Sequence, residues 1–370
     1  MFEWNHETSE RRTGSMRIAI DASSAAISKK TGVAKYITRL IEHLEGLNEG
    51  NEYRIYYRLS RWKKREYFYR PRRQTTKVRL FQEPFFRAAG IDVFHGPDAR
   101  LPRIRGPKLV ATVHDLFSLV SDEFADEDFR RKKAAQYKDI AERADRIICV
   151  SESTRSDFVR FFPEAAAKTC VIYEGVDEQF YPRPDSEVMR VKEKYGIPGD
   201  YVLYVGALSK RKNIIRMFDA FRQVRRQTGS DIQFVAAGKL TYGKEEILKY
   251  IEDNRCEREI PLPGYVADED LPALYSGARV LLFTTLYEGF GLPILEALAC
   301  GTPVVTSNMS ATAEVGGALV RQANPTSVEE IASCLGEALS DSGRERVSLN
   351  PAGRFSWGRT AELTLGEYVS

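Results

Sequence analysis

Two glutamates, Glu288 and Glu296, are separated by seven residues that include Gly289, Gly291 and Pro293. Carboxylates are good acceptors for vicinal sugar hydroxyls, as in the ribose contact of dinucleotide-binding folds. The glycines allow positive φ and close approach of a ligand to the backbone, and Pro293 suits the first residue of a helix. A helix start that follows a glycine turn offers free N–H groups to a phosphate. This combination predicts a site for a nucleoside diphosphate attached to a sugar, although each glutamate taken singly could equally be a solvated loop residue or a charge that complements the helix dipole.

A second group of charged residues lies at the start of a predicted βα unit. The apolar run 201–206 predicts a strand, and a helical pattern follows for which Asn213 is a suitable N-cap. Arg211 and Lys212 lie between the strand and the helix. A diphosphate bound there would meet two positive charges beside a helix start. The alternative is a solvated basic loop.

Two histidines end predicted strands. His114 follows the apolar run 109–113, and His95 ends the run 93–95. Ligands bind at the carboxyl ends of parallel strands, so His114 could face a ligand and His95 could line an acceptor site. A histidine at a strand end is more often structural, and on the residues alone both interpretations stay open.

The elements that must position these residues alternate between strands and helices. The alternation predicts an α/β fold with mostly parallel sheets. Predicted strands include residues 54–59, 78–81, 93–95, 109–113, 201–206, 231–239, 259–266 and 278–285, and predicted helices include 31–44, 129–143, 294–299 and 355–369. A further strand precedes Ser151, which is a predicted N-cap.

Several residues at the ends of these elements could bring backbone close to a ligand. Gly32 lies where a loop meets the helix 31–44. Gly206, Gly238, Tyr265 and Val266 fall at predicted strand ends that line the same crevice as the two glutamates. A glycine before a helix is common, so Gly32 alone is little evidence.

The length and composition indicate a globular enzyme of two domains. The chain has 370 residues, of which 43% are hydrophobic and 29% charged. No apolar run approaches the roughly 20 residues that span a bilayer. The first fifteen residues lack the apolar core of a signal peptide, so we expect a flexible extension. The five cysteines have no metal-type or redox spacing, which predicts buried thiols in a reducing cytosol and no metal site.

One segment is strongly basic. Residues 52–80 carry eleven Lys or Arg residues against two acids, with seven aromatic residues among them. Such a surface could bind nucleic acid, anionic lipid headgroups or a phosphorylated acceptor. Arg61, Lys63, Lys64 and Arg65 are the residues that we expect to contact an acceptor or a membrane.

The two glutamates lie in a string that resembles a known family. EGFGLP and EALACGTPVV, with the Glu-x7-Glu spacing, are similar to the signature of the retaining glycosyltransferases of family 4. The resemblance implies the GT-B fold, in which two Rossmann-like domains face each other across a cleft. It extends from about Arg17 to Trp357.

The resemblance also implies a domain organisation. After the extension 1–15, residues 16–183 would form an N-terminal acceptor domain and residues 184–356 a C-terminal donor domain. The final helix, about 357–370, would cross back to the first domain and tie the two together while permitting closure.

Particular roles follow from the resemblance. Arg211 and Lys212 would neutralise the leaving diphosphate, and His114 would face the donor sugar. Glu288 would orient the sugar hydroxyls and Glu296 the ribose. The other implied donor-binding residues are Gly32, Gly206, Gly238, Tyr265, Val266, Gly289, Phe290, Gly291 and Leu292.

The chain departs from the family pattern at three positions. Ala207 stands where many relatives carry an arginine, so we expect Arg211 to take on more of the phosphate contact. Glu174 stands where asparagine is frequent, and Ala313 stands in place of a proline. Glu314, which follows Ala313, is a further site candidate.

The expected reaction is transfer of a sugar from a nucleoside diphosphate donor to an acceptor hydroxyl, with retention and without a metal or another cofactor. GDP-mannose is the favoured donor by family analogy, with UDP- and dTDP-sugars next, and the acceptor would be a lipid-linked or polysaccharide glycan of the cell envelope. The expected location is the cytoplasm, with peripheral contact to the inner face of an anionic membrane. The alternatives are a GT-B epimerase or phosphorylase, and a non-enzymatic nucleic-acid-binding protein; a glycosyltransferase is expected to have no nucleic-acid partner.

Overall fold

The computed structural model describes residues 15–47, 50–341 and 353–370. The predicted extension 1–15 therefore lies outside the described residues apart from Ser15. Contacts between Cα atoms divide the chain into two compact units. The first comprises residues 1–112, 139–148 and 358–370, and the second comprises residues 113–138 and 149–357. The domain boundary between residues 183 and 184 stays a prediction.

Strands and helices alternate along most of the described chain. The strands are β1 (Arg17–Asp21), β2 (Glu52–Arg58), β3 (Thr76–Phe81), β4 (Val93–Gly96), β5 (Lys108–Val113), β6 (Arg146–Cys149), β7 (Thr169–Val171), β8 (Tyr201–Val205), β9 (Gln233–Ala237), β10 (Val280–Phe283), β11 (Val304–Ser307) and β12 (Arg321–Ala323). The α-helices are α1 (Gly32–Gly46), α2 (Phe117–Val120), α3 (Glu127–Arg143), α4 (Glu152–Phe161), α5 (Asp185–Tyr195), α6 (Ile214–Thr228), α7 (Lys244–Asn254), α8 (Leu271–Gly277), α9 (Leu292–Ala299), α10 (Ser310–Gly316), α11 (Val328–Ser340) and α12 (Trp357–Val369).

The first sheet is built around β1. Its strand order is β3-β2-β1-β4-β5-β6-β7, and β1 pairs in parallel with β2 and β4. Ile18, Ala19 and Ile20 are fully buried, because a central parallel strand is covered on both faces. The direction of strand addition reverses between β1 and β4.

The second sheet has the order β12-β11-β10-β8-β9, and its neighbouring strands run parallel. β8 and β10 lie inside it, and Leu203 and Leu281 are fully buried. On one face, Phe218 and Phe221 of α6 pack edge-on against Phe234 of β9. The two parallel sheets confirm the predicted α/β class.

One predicted strand is wrong. Residues 259–266 form an isolated bridge between Gly264 and Ala237 in place of a strand. The segment accepts backbone hydrogen bonds from β9. Pro261 and Pro263 have no N–H group to donate in return, so a full ladder cannot form.

The last helix, α12, packs in the first unit from Gly358 onward. Glu367 accepts a hydrogen bond from Arg146 Nε at 2.6 Å. The Tyr368 side chain is buried and its hydroxyl lies 2.7 Å from His95 Nδ1. These contacts agree with the predicted terminal helix, whereas its role in domain closure stays a prediction.

Candidate active site

Three of the predicted site residues form one buried ion cluster. Lys212 Nζ donates a hydrogen bond to Glu288 Oε1, and Arg211 Nη1 lies 3.4 Å from Glu288 Oε2. Arg211 Nη1 also donates to the carbonyl of Tyr287 at 2.6 Å. Lys212 is 9% exposed and Glu288 8%. The basic pair is therefore not a solvated loop, and Glu288 is not a solvated loop residue.

A short 3-10 helix, Lys210–Lys212, carries the two cations after β8. Asn213 follows it with φ of 60° and makes no side-chain hydrogen bond to cap α6. Asn213 occupies the predicted N-cap position but does not cap the helix with its side chain, because Oδ1 accepts from Arg216 Nη1 at 3.0 Å. Its Nδ2 donates to the carbonyls of Thr284 and Pro325, at 2.9 and 2.7 Å. Asparagine tolerates this left-handed conformation better than most residues. The amide thus fixes the loop against the end of β10.

Burial and pairing shift the pKa values in this cluster. Burial, together with the charge of Arg211, lowers the pKa of Lys212 to about 8, although Glu288 opposes the shift. Burial alone would raise the pKa of Glu288, but the charges of Lys212 and Arg211 outweigh it and lower the pKa. For Arg211, Glu288 and Asp115 outweigh burial and raise the pKa.

Aromatic packing holds the Arg211 guanidinium in place. Its Cζ atom lies 4.6 Å from the centre of the ring of Phe117. Phe117 is the first residue of α2. A cation above an aromatic face is attracted by the ring quadrupole. Phe117 is not among the predicted site residues, because a single aromatic residue gives no sequence signal for a contact with a residue 94 positions away.

Backbone packing fixes the loop that carries Glu288. The carbonyl of Gly289 accepts hydrogen bonds from Ser151 Oγ at 2.7 Å and Thr154 Oγ1 at 3.0 Å. A Cβ atom on Gly289 would lie 1.7 Å from the carbonyl oxygen of His114. This glycine is therefore required by the contact with the end of β5, whether or not a ligand approaches it. Ser151 also caps α4 as predicted, since its hydroxyl accepts from Thr154 N.

Helix α9 starts beside Glu288. Gly291 precedes it with φ of 113°, Leu292 is its first residue and Pro293 its second. The backbone N–H of Glu288 donates to Ser310 Oγ at 3.2 Å. Phe290 is buried and packs against the rings of Tyr173 and Phe355. The predicted glycine turn is confirmed, and the helix starts at Leu292, one residue before the predicted first residue Pro293.

Glu296 lies in the second turn of α9 and is 5% exposed. Its Oε2 accepts a hydrogen bond from the Tyr275 hydroxyl at 2.8 Å. Burial and then the nearby Glu296 charge raise the pKa of Tyr275 well above its usual value. Glu296 is thus a buried, hydrogen-bonded acid, and its contact with ribose stays a prediction.

His114 has an acidic partner. Its Nδ1 atom lies 3.0 Å from Glu174 Oε1, and Glu174 is 4% exposed. A carboxylate at this distance can accept a hydrogen bond from Nδ1–H, which fixes the tautomer and the orientation of the ring. The sequence marks Glu174 only as a departure from asparagine and does not predict its pairing with His114.

Comparison with known proteins places these residues in a family. Residues 30–180 match the sequence model described as Glycosyltransferase Family 4, and residues 187–354 match the one described as Glycosyl transferases group 1. The chain is 31% identical over 303 residues to O-antigen chain mannosyltransferase B of Escherichia coli, and the alignment covers 80% of this chain and 77% of the relative.

The chain belongs to the family 4 glycosyltransferases. It is also 31% identical over 271 residues to the serotype-specific mannosyltransferase WbdA of Escherichia coli, where the alignment covers 70% of this chain and 33% of the relative. Two solved structures share its fold. Sucrose-phosphate synthase from Thermosynechococcus elongatus has a TM-score of 0.72 at 20% identity, covering 95% of this chain and 98% of the other. Anabaena Alr3699/HepE in complex with UDP and glucose has a TM-score of 0.70 at 19% identity, with the same coverage. The fold is GT-B.

The glycosyltransferase does not expose His95. His95 is fully buried, and its ring nitrogens lie 2.7 Å from the Tyr368 hydroxyl and 2.8 Å from Thr112 Oγ1. The prediction that His95 lines an acceptor site is wrong for this structure, because the ring is enclosed between β4, β5 and α12. Its role is structural.

Packing requires one predicted donor-binding glycine of the glycosyltransferase, Gly238, and its contact is with a second, Gly206. A Cβ atom on Gly238 would lie 1.7 Å from the carbonyl oxygen of Gly206, so the ends of β8 and β9 meet at these residues. Both have φ of 150°. Gly32, in contrast, is the exposed first residue of α1. Their contact with a donor stays a prediction.

Tyr265 and Val266 follow the bridge at Gly264. The Tyr265 hydroxyl lies 3.5 Å from Asp268 Oδ1. Val266 is 4% exposed, so its side chain belongs to the core and a ligand would meet its backbone rather than its isopropyl group. The expected contact with a base stays a prediction.

The basic segment forms a surface of the first unit. Lys63, Lys64 and Arg65 are exposed in the 3-10 helix Leu59–Tyr67, which buries none of its residues. Arg61, in the same helix, is half-buried. Trp62 is 50% exposed, with the Arg65 guanidinium 5.0 Å from its ring centre.

Glu314, the further candidate, has a structural contact. Its carboxylate accepts hydrogen bonds from the backbone N–H groups of Glu152 and Ser153, at 2.9 and 3.1 Å. These are the first two residues of α4, so Glu314 satisfies donors that the helix itself cannot pair. A long-range cap of this kind has no signal in the local sequence.

The described residues offer neither a metal-binding cluster nor a membrane-spanning helix. They contain no group of three or more His, Cys, Asp or Glu side chains placed to hold a metal ion. None of the helices in the described ranges combines the length and apolar composition that a bilayer crossing requires.

Proposed function

We propose that this glycosyltransferase moves a sugar from a nucleoside diphosphate donor to an acceptor hydroxyl with retention at the anomeric carbon. The observation that carries the proposal is the buried cluster of Arg211, Lys212 and Glu288 beside the start of α9. Two buried cations share the Glu288 carboxylate, and Asp115 is a second negative charge near them. Buried cations are stabilised by an anion bound beside them.

The difficult part of the reaction is separation of a cationic sugar from a diphosphate leaving group. Arg211 and Lys212 would stabilise the charge that develops on the diphosphate, and the N–H groups around Gly291 and Leu292 would add fixed dipoles. Asn213 and Phe117 hold the two cations in position beforehand. Preorganised charges of this kind lower the barrier without further rearrangement.

Glu288 has two roles in this proposal: it pairs with the two cations before the donor binds, and it contacts the sugar afterwards. In the structure its carboxylate pairs with Lys212 and Arg211. A bound diphosphate would share these cations, so the carboxylate could accept hydrogen bonds from hydroxyls of the transferred sugar. His114, oriented by Glu174, would contact the same sugar, and Glu296 would contact the ribose.

The stereochemical course depends on whether a carboxylate lies where it could attack the sugar. Double displacement needs a carboxylate on the face of the sugar opposite to the leaving group, and we assign none to that role. We therefore propose attack on the face that the diphosphate leaves, through an ion-pair-like transition state and without a metal ion. A trapped glycosyl–enzyme would contradict this course.

The donor and acceptor are proposed from the relatives. Both matched Escherichia coli proteins carry the name mannosyltransferase, and one of them is named for the O-antigen chain. The HepE structure contains UDP, which supports a nucleotide donor for this fold. We propose GDP-mannose as the donor and a lipid-linked or polysaccharide glycan as the acceptor.

A thermal-shift screen of the full chain with GDP, UDP and dTDP tests the proposal, followed by hydrolysis assays with the matching sugar donors. We expect GDP to give the largest stabilisation. The variant Arg211→Gln should weaken GDP binding at least about tenfold, the loss expected for one charge-assisted hydrogen bond. Lys210→Gln is the matched control, because Lys210 lies in the same loop but is half-exposed and 3.8 Å from Glu123.

Three kinds of result would contradict the proposal. Equal GDP affinity in both variants would show that the cluster does not hold the diphosphate. An epimerised sugar formed without an acceptor would indicate an epimerase, and sugar release that depends on free phosphate would indicate a phosphorylase. Proton NMR of the product gives the anomeric configuration, and an inverted product would exclude retention.

We also propose that the 3-10 helix Leu59–Tyr67 rests on an anionic membrane. Lys63 and Lys64 are exposed beside Trp62 and Tyr67, which are 50% and 41% exposed. Each basic residue near an anionic surface contributes about 1 kcal/mol, and aromatic rings favour the interface. Replacing Lys63 and Lys64 by Ser should reduce flotation with phosphatidylglycerol vesicles, whereas the same change at the exposed Lys244 and Lys249 of α7 should not. Unchanged flotation of the first variant refutes the proposal.

A further inference from the structure

A polar cavity lies at the carboxyl end of the first sheet, at the point where strand addition reverses. β2 and β3 lie on one side of β1, and β4 and the later strands lie on the other. In open α/β sheets this switch point is where ligands bind. The cavity has a volume of about 90 Å³. The lining residues that bear on its chemistry end or follow β1, β2 and β4: Asp21, Ser24, Arg58, Arg61, Asp98 and Arg100.

Acceptors and donors of hydrogen bonds alternate around this cavity. Asp21 ends β1 and is 7% exposed. Ser24 Oγ donates to Asp98 Oδ2 at 2.5 Å, which joins the loop after β1 to the loop after β4. Arg58 ends β2, and its Nε atom lies 3.5 Å from Asp21 Oδ2.

The Arg58 guanidinium is not fully satisfied. Its Nε atom is buried and makes no hydrogen bond, because the approach of Asp21 lacks hydrogen-bond geometry. Its Nη1 atom lies 3.6 Å from Glu83 Oε2, again beyond a hydrogen bond. The Arg58 side chain is 27% exposed, so its terminal nitrogens, rather than the enclosed Nε atom, are the donors that a ligand oxygen in the cavity could meet.

The charges select the class of ligand. A metal cation would face the guanidinium groups of Arg58, Arg61 and Arg100, and a phosphate among them would also face the carboxylate of Asp98. A neutral ring that bears several hydroxyls both donates and accepts, so it can bond to carboxylates and guanidinium groups at once. An apolar ligand would leave all of them desolvated.

The cavity volume is enough for one edge of a sugar ring. A single water needs roughly 10–15 Å³ of the same space, so about 90 Å³ holds several waters. That space admits the hydroxyl-bearing edge of one hexopyranose and not a chain of sugars.

We propose that this pocket binds one sugar ring of the acceptor through its hydroxyls, with Asp98, held by Ser24, and Arg58 as the recognising groups. The inference rests on the proposed function, since a sugar could also reach a glycosyltransferase as the transferred group of the donor. It adds Asp98 and Ser24, which lie outside the basic segment, and Arg58, which lies in that segment but is not one of the predicted acceptor contacts Arg61, Lys63, Lys64 and Arg65.

Direct binding of a saccharide to the full chain tests this. The probe is methyl α-mannobioside, followed by saturation-transfer NMR and calorimetry in the absence of nucleotide. Asp98→Asn should weaken its binding about tenfold or more, the loss expected for one hydrogen bond to a charged group, while GDP affinity stays unchanged. Glu66→Gln is the matched control, because Glu66 is an exposed acid of the same unit outside the cavity.

A second variant distinguishes loss of binding from loss of folding. Arg100 lines the cavity from an exposed position, so Arg100→Ala should fold normally and also weaken the saccharide. The proposal is overturned if the mannobioside does not bind, if Asp98→Asn and Arg100→Ala bind it like the wild type, or if Asp98→Asn weakens GDP equally. It is also overturned if inorganic phosphate competes with the mannobioside.

Failure of the pocket and failure of the proposed function give different results. If GDP, UDP and dTDP do not bind but the mannobioside does and depends on Asp98, the donor assignment fails and the pocket stands. If GDP binding depends on Arg211 while the mannobioside is indifferent to Asp98, the donor site stands and the pocket assignment fails.

Discussion

Lys212 should make nucleotide binding depend on pH above neutrality. Burial and the charge of Arg211 lower its pKa to about 8, from an ordinary value of 10.5. A diphosphate is bound by the ammonium form and gains little from the neutral amine. The affinity for GDP should therefore fall as the pH rises through 8.

The neighbouring groups do not titrate in the same range. The pKa of Arg211 is raised and that of Glu288 is lowered, so both stay charged. Burial raises the pKa of Tyr204 well above its usual value, so this phenol stays neutral. The phosphates of GDP are fully ionised above pH 7, since a phosphate monoester loses its second proton near pH 6. The change in affinity would thus report on Lys212.

The size of the effect follows from the pKa. With a pKa of about 8, roughly nine-tenths of Lys212 is protonated at pH 7 and roughly one-tenth at pH 9. The apparent Kd for GDP should rise about tenfold between these two pH values. Binding at pH 9 should also take up about one proton, because the bound phosphate raises the pKa of the ammonium.

Calorimetry in two buffers of different ionisation enthalpy measures both quantities. The matched variant is Lys212→Arg, whose guanidinium stays charged over the whole range, so its GDP affinity should not change between pH 7 and pH 9. The reasoning is refuted if the wild type binds GDP equally at both pH values without proton uptake, or if Lys212→Arg shows the same pH dependence as the wild type.

The same titration has a consequence for stability. Between pH 8 and 10.5 the unfolded chain keeps a proton on Lys212 that the folded chain has lost. The free energy of unfolding rises with pH wherever the unfolded state binds more protons. The contribution of Lys212 should therefore become less destabilising across this window, in the direction opposite to its effect on GDP binding.

Three further substitutions are informative. Glu174→Leu removes the hydrogen-bond partner of His114 Nδ1, so kcat should fall about tenfold, whereas Glu174→Gln, whose amide oxygen can still accept from Nδ1, should keep most of the activity. Steady-state kinetics measure both, and an unchanged kcat in Glu174→Leu would show that the pairing does not position the ring. Gly289→Ala should destabilise the protein by about 2 kcal/mol or more in urea unfolding, because the added Cβ would meet a backbone oxygen at 1.7 Å. The control is Gly336→Ala in α11, where the added Cβ meets open space. This variant should raise the free energy of unfolding by up to about 1 kcal/mol. Glu314→Ala should cost about 1 kcal/mol by exposing the start of α4, and no change in unfolding would show that water replaces the cap.

Local periodicity predicts the elements that position the site. The strand 109–113 and the helix 129–143 are predicted within one or two residues of β5 and α3, because a buried strand and an amphipathic helix each leave a pattern in neighbouring residues. The segment 259–266 looks like a strand by the same measure. Its two prolines decide against a ladder, and that signal was present in the sequence.

Pairing between distant residues is not predicted by such patterns. Glu288 and Lys212 are 76 positions apart, and His114 and Glu174 are 60 apart. The residue types indicate that each could bind a ligand. Only the topology, which brings the end of β5 and the loop after β8 to the Glu288 loop, shows that the acids and bases bind each other. The side chain of Asn213 illustrates the same limit, because its carbonyl partners lie 71 and 112 positions away.

The structure gives a packing reason for two of the glycines that the sequence assigns to donor binding. Gly289 and Gly238 each lie where a Cβ atom would collide with a backbone carbonyl, of His114 and Gly206 respectively. Packing alone therefore requires them, and their presence does not indicate a phosphate. The stronger indication is electrostatic: Arg211 and Lys212 are nearly buried with one shared acid between them, and hydrophobic residues of similar volume would cost the fold less. A chain that keeps two cations in such a place gains binding rather than stability from them, and the pH dependence of GDP binding measures that gain directly.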